Sequence, residues 1–242
     1  MAEAYCGPAP EPQVLLSAWN FDPIALLLGA AIVGFHLRKG SSDGRIPLIS
    51  GVALLLVLFI SPLCAMTVAL FSARVAHHVL LVAVAAPLMA LAFPEYARSL
   101  RLSMSALVGA HAAILWVWHA PPIYEQAIYG ALPYWMMQLT LLGSAFLLWR
   151  RILSRFTSTG TALLALLATV IQMGMLGALL TFAREALYEP HLATTLPFGL
   201  TPVADQQLGG LIMWVPAAMP YLIAAVWLLF TRLDHGAARK AG

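Results

Sequence analysis

Residues 69–93 read ALFSARVAHHVLLVAVAAPLMALAF, twenty-five positions with one Arg and two His. A helix rises about 1.5 Å per residue, so this run would span roughly 37 Å, enough to cross a hydrocarbon core of ~30 Å. Inside lipid, every backbone N–H and C=O must find its partner within the protein. Only helices and closed barrels achieve that, and barrel strands alternate apolar with polar residues. The continuous apolar character of this run therefore selects a helix.

Six further runs share the pattern: residues 23–37, 46–63, 103–119, 132–149, 161–183 and 208–231. The first is short and is expected to extend back to Phe21 or Trp19. Breakers and charges separate the runs: Lys39 to Ser42, Pro94-Glu95, Pro121-Pro122, Arg150-Arg151, and Pro197 to Pro202. No internal repeat or long linker divides the chain. The expectation is an all-α polytopic membrane bundle of about seven transmembrane helices. Residues 1–20 form an outer tail, 21–233 the membrane domain and 234–242 a cytoplasmic tail. Residues 1–20 hold no Lys or Arg, so they lack the positive start of a cleaved signal peptide. Composition agrees: 62% of residues are hydrophobic and 10% charged, against roughly a quarter charged in soluble domains.

Basic residues follow the cytoplasmic side of membrane proteins. Eleven of the thirteen Lys and Arg fall in alternate gaps and the C-terminal tail, and only Arg74 and Arg184 lie on the other side. Seven of the ten acids lie with those two, so that face is net −5 and its opposite +8. This partition places the N-terminus outside and the C-terminus in the cytoplasm, and a bacterial inner membrane is the expected location. An acidic outer face attracts cations, although plain topology explains it without a ligand. The formal charge of +3 says little about partners, and nucleic acid is not among those expected.

Ionisable groups at membrane depth are costly, so each is a functional candidate. His36 and His235 lie at cytoplasmic helix ends and read as interfacial. His77 and His78 lie in the outer half of the third span, His111 in the middle of the fourth, and His119 two turns later, about 12 Å nearer the outer surface. His191 falls in the last outer loop. Imidazole binds copper, zinc and iron, and soft sulfur favours Cu(I). Met173 and Met175 in span six and Met213 in span seven lie at matching depth. The bland readings weigh against each: a buried His usually bonds a neighbouring helix, and a membrane Met usually packs. His77 and His78, about 100° apart on a helix, cannot both face one site. Two readings of Cys6 and Cys64 stay open, a disulfide constraining the tail or free thiols serving copper.

Other residues read as architecture. Pro87, Pro216 and Pro220 remove ladder hydrogen bonds and bend helices. Gly209-Gly210 lets a helix approach closely. Asp205 either caps span seven or faces a metal or Arg74. Trp116, Trp118, Trp135, Trp149 and Trp214 fit an interfacial aromatic belt.

Three stretches resemble the multi-spanning cytochrome c oxidase assembly factors of the CtaG family. They are SARVAHHVLLVAVAAP from Ser72, LWVWHAPPIYEQA from Leu115, and TPVADQQLGGLIMWVP from Thr201. The last is the most specific, with Asp205-Gln206-Gln207, Gly209-Gly210 and Met213-Trp214. Next comes Trp118-His119 with Pro121 and Tyr124. The resemblance covers the chain from about Ser61 onward and does not extend to the single-span copper chaperone that shares the name. It implies help in maturing the copper centre, the CuB site, of a haem–copper oxidase, with oxidase subunits as partners.

Two departures bear on copper. The family opens span three with a His-x-x-x-His pair; His78 matches its second member, Arg74 occupies the first, and His77 is added. A second such pair is expected where Tyr134 and Gln138 stand. The expected copper ligands are therefore His78 and His119, with Met213 or Met173 as a soft third and His111 and His77 nearby. The alternatives are a chaperone that holds an oxidase subunit without metal, and a bis-histidine haem protein using His78 and His111. A retinal protein is excluded because the only lysines, Lys39 and Lys240, lie in cytoplasmic segments. A transporter would show inverted repeats and broken helices; the prolines fit the second sign weakly, and the repeats are absent. No nucleophile with an adjacent base and no phosphate loop is visible, so no enzyme is expected.

Overall fold

The computed structural model describes residues 4–39, 42–93 and 102–240, the side chains of 39 and 233–240 excepted. Pro94-Glu95, Arg98 and Arg101 lie outside the described residues, as do the side chains of His235, Arg239 and Lys240. The chain is all-helical, and each of the seven apolar runs is helical. The helices are α1 (Pro23–Lys39), α2 (Arg45–Ile60), α3 (Pro62–Ala69), α4 (Phe71–Leu80), α5 (Ala86–Ala92), α6 (Met104–Trp118), α7 (Pro121–Tyr129), α8 (Ala131–Leu153), α9 (Thr159–Phe182), α10 (Pro202–Trp214) and α11 (Ala218–Lys240). Among the described residues, five stretches are long and apolar enough to cross a membrane, six if the bent pair α6–α7 counts as one. The shorter apolar α1 stands beside them. Leu27, Leu167, Leu179, Ile223 and Phe230 are exposed on these helices, an apolar surface of the kind a bilayer covers.

The element boundaries correct several expectations. The first helix does not reach back to Trp19. It begins at Pro23, where the missing N–H costs nothing, and Asp22 accepts the N–H of Ile24 at 2.5 Å. The connection around Cys64 is helix α3, opened by Ser61 as N-cap for the N–H of Leu63 and by Pro62 in its first turn. Pro121-Pro122 opens α7 instead of marking a loop, and α7 turns 75° from α6. The last span begins at Pro202 and breaks at residues 215–217, where Pro216 cannot continue the ladder and Ala217 bonds back to Ile212.

Pro87 lies just beyond a π-helical segment, Leu81–Ala85, that joins α4 to α5. In that register each N–H reaches five residues back, so Pro87 deprives the Val82 carbonyl of its donor. The indole of Trp149 donates to that carbonyl at 2.9 Å and stacks on Tyr221. Trp149 is thus buried in the bundle and is not part of an interfacial belt. Helix α10 wedges between α4 and α9, while α8 packs on α5, α6 and α7. His36, expected at an interface, is buried against Phe93.

Candidate functional site between α4, α6 and α10

The extended Leu70 separates α3 from α4 and leaves the first N–H groups of α4 without helical partners. Asp205 takes them. Its carboxylate accepts the N–H of Phe71 at 2.7 Å and of Ser72 at 3.2 Å, together with the Ser72 hydroxyl. The residue therefore caps α4 and not its own helix, whose N-cap is Thr201. Gln206 accepts from the Leu187 N–H at 2.7 Å and donates to the Glu185 carbonyl, and Gln207 donates to the Ala183 carbonyl. A methyl on Gly209 would meet the Phe71 ring at 2.6 Å, and one on Gly210 the Gly177 carbonyl at 2.6 Å. The motif of residues 205–210 thus fixes α10 against α4, α9 and the loop between. Trp214 follows it, partly exposed, with its ring edge on Phe182.

With α4 fixed, its histidines part. His77 Nε2 bonds the Leu58 carbonyl at 3.2 Å and its ring meets Phe59, so it serves contact with α2. His78 faces His119, ring centroids 6.0 Å apart, and neither of its buried nitrogens has a protein partner. His119 ends α6, with Nδ1 on the Leu115 carbonyl at 2.7 Å; its own carbonyl accepts the Tyr188 hydroxyl at 2.9 Å. His111 is buried as expected, but Nδ1 bonds Ser144 Oγ on α8 at 2.9 Å, the helix-to-helix bond of the bland reading. Met173 and Met213 are buried, whereas Met175 is exposed. Met213 lies one turn beyond Gly209, on the face of α10 turned to α4.

One turn before His78, Arg74 is buried at 2% exposure. Its Nε donates a long 3.4 Å bond to the Thr67 carbonyl, and Nη1 has no partner. The guanidinium lies 5.3 Å from the Tyr124 ring and 5.9 Å from the Tyr134 ring. It meets those π faces and not Asp205, whose hydrogen bonds go to Phe71 and Ser72. A lid closes over it. Tyr124 bonds His191 Nε2 at 2.7 Å, and Tyr188 stacks on Phe71 at 4.2 Å. Burial, and then the charge of Arg74, pull the His191 imidazole down to about 3. Cys6 and Cys64 are joined in a disulfide, which removes the free-thiol reading. Both sulfurs lie against the Tyr134 hydroxyl, and Tyr5 stacks on the Tyr134 ring at 4.2 Å. Gln138, one turn along α8, is buried with its Oε1 unpartnered.

Among the described residues, no group of three or more His, Cys, Asp or Glu is placed to hold a metal. The donors that do converge are the pair His78 and His119. Tyr188 gave no local sequence signal, and His191 was legible only as a loop imidazole, because their partners lie 67 to 69 residues away.

Fold and site together define a polytopic helical membrane protein with a polar core of histidines around the buried Arg74. Its family is identified by its sequence. The chain belongs to the cytochrome c oxidase caa3 assembly factor (Caa3_CtaG) family, whose model matches residues 45–234. The match runs from the start of α2 into α11, so it contains Cys64 and leaves out its partner Cys6. No curated protein and no solved structure matches the chain. Membership makes the protein an assembly factor for cytochrome c oxidase, with the oxidase as the complex it works on.

Proposed function

We propose that this chain assists maturation of the oxidase's copper centre without catalysing a reaction, by holding monovalent copper briefly between His78 and His119. Copper is its cargo. The observation that carries the reading is His78, an imidazole buried with both nitrogens unpartnered and facing a second imidazole. Buried polar groups almost always have partners, so an orphan pair of ring nitrogens calls for a ligand. An ion about 2 Å from a nitrogen of each ring would set the centroids roughly 6 Å apart, and the observed separation is 6.0 Å. Cu(I) accepts low coordination, and Met213 on the facing helix offers a soft third donor. Arg74, one turn away, weakens the hold on any cation, which suits release over storage. The basic residues orient the site to the outer side of a bacterial cytoplasmic membrane, with the N-terminus outside.

The same Arg74 supports a second reading. A permanent cation stands where the family has its first histidine, and Tyr134 and Gln138 replace the second pair. A protein so altered serves by holding an oxidase subunit without metal. Copper and iron content after anaerobic Cu(I) loading separates the readings. About one copper per chain, lost in His78→Ala/His119→Ala, supports the cargo reading. No copper in the wild type, with copper gained in Arg74→His, supports the subunit-holding reading. Iron with a haem spectrum overturns both.

A further inference from the structure

At the end of the bundle where α1 turns into α2, far along the chain from the histidine pair, lies a cavity of about 660 Å3. Val33, Leu37, Leu48, Ile49, Val52 and Leu56 form its walls. Leu56 is eleven residues along α2 from Arg45, so the groove runs about 16 Å down the helix. Its polar groups gather at one end. Arg45 lines it there, at the first position of α2. The N-cap, Gly44, makes no side-chain bond, and the positive end of the α2 dipole lies at this end of the groove. His36 lines the same end at 3% exposure, and its Nδ1 has no partner. A methyl on Gly44 would stand 2.9 Å from His36 Cε1, so the glycine makes room for this ring.

Each feature excludes an occupant. Water would find no partners along the six apolar side chains. A purely apolar chain would leave His36 orphaned and Arg45 facing hydrocarbon. A free anion would use one end and leave the groove empty. Leu37 and Ile49 are exposed, so the groove opens sideways to the bilayer. We propose that it binds one anionic phospholipid. The phosphate lies at Arg45, His36 and the start of α2, and an acyl chain lies along Val33, Val52 and Leu56. Sequence charge agrees, since Arg38 and Lys39 flank the site and Asp43 is the one acid between them and Arg45.

The test is native mass spectrometry of the full chain in detergent with added phosphatidylglycerol, or phosphatidylcholine of the same chains. Phosphatidylglycerol is expected to be retained as one tightly held copy, and Arg45→Gln to weaken it about fivefold, as the loss of one basic contact implies. Arg155→Gln removes an exposed cation elsewhere and is expected to leave retention unchanged. Arg45 is exposed, so its substitution leaves packing intact, and only the monodisperse fraction is scored. Equal retention of both lipids, an equal loss in Arg155→Gln, or displacement of the lipid by equimolar inorganic phosphate would each overturn the proposal.

Discussion

Asp205, in the first turn of α10, accepts the backbone N–H of Phe71, the first residue of α4, across 134 positions of sequence. One carboxylate thereby sets where α4 begins, and hence the level at which Arg74 and His78 lie. Asp205→Ala leaves two buried N–H groups without acceptors. The expected cost is about 2–3 kcal/mol, read as a lowered unfolding temperature in detergent. Asp205→Asn keeps one acceptor and should lose less. Equal unfolding temperatures for wild type and Asp205→Ala would show that another group takes over the cap.

Trp149 stands in for the hydrogen bond that Pro87 removes. Trp149→Phe keeps the ring against Tyr221 but strands the Val82 carbonyl, a loss of about 1–3 kcal/mol. Pro87→Ala restores a backbone donor, so the same Trp149→Phe change should cost less in that background. A double-mutant cycle measures the difference. Strict additivity would mean that the indole and the proline act on separate carbonyls.

The Cys6–Cys64 disulfide closes 58 residues of chain over Tyr134. Chain-entropy reasoning assigns such a loop about 4 kcal/mol. Reduction, or Cys6→Ser, should free the tail, lower stability and open residues 4–20 to limited proteolysis. Unchanged cleavage after reduction would show that the stacking of Tyr5 on Tyr134 holds the tail unaided.

His191 gives the lid over Arg74 a pH dependence. Its folded pKa of about 3 lies below the unfolded value of 6.5. Between those values the unfolded chain binds the extra proton, so stability is whole above pH 6.5 and falls as pH drops toward 3. By pH 5 the loss is about 2 kcal/mol. Comparing wild type with His191→Gln at pH 7 and pH 5 checks the sign. The variant starts less stable without its Tyr124 bond, and it should lose less on acidification.

Residue types marked the candidate site, and partners did not. His78 and His119 stood out because ionisable groups are rare at membrane depth. Asp205 stood out in its motif, although which helix it caps was hidden. His111 was legible as an inward-facing residue, but Ser144, its partner on α8, was not. Arg74 read as a departure from a histidine pattern, while its cage of Tyr124 and Tyr134 required helices that only packing brings together.

The sequence by itself determined the all-helical membrane class and the approximate runs of helix. Those properties follow from hydropathy and from the 1.5 Å rise per residue, which act locally along the chain. Tertiary structure alone decided which helix Asp205 caps, that Trp149 serves a proline's carbonyl, that the two cysteines join, and that His78 faces His119 while His77 faces α2. Lipid supplies no hydrophobic force to choose among helix pairings. The choice falls to close backbone approach at Gly209 and Gly210, and to buried polar atoms finding partners over separations that no local pattern records.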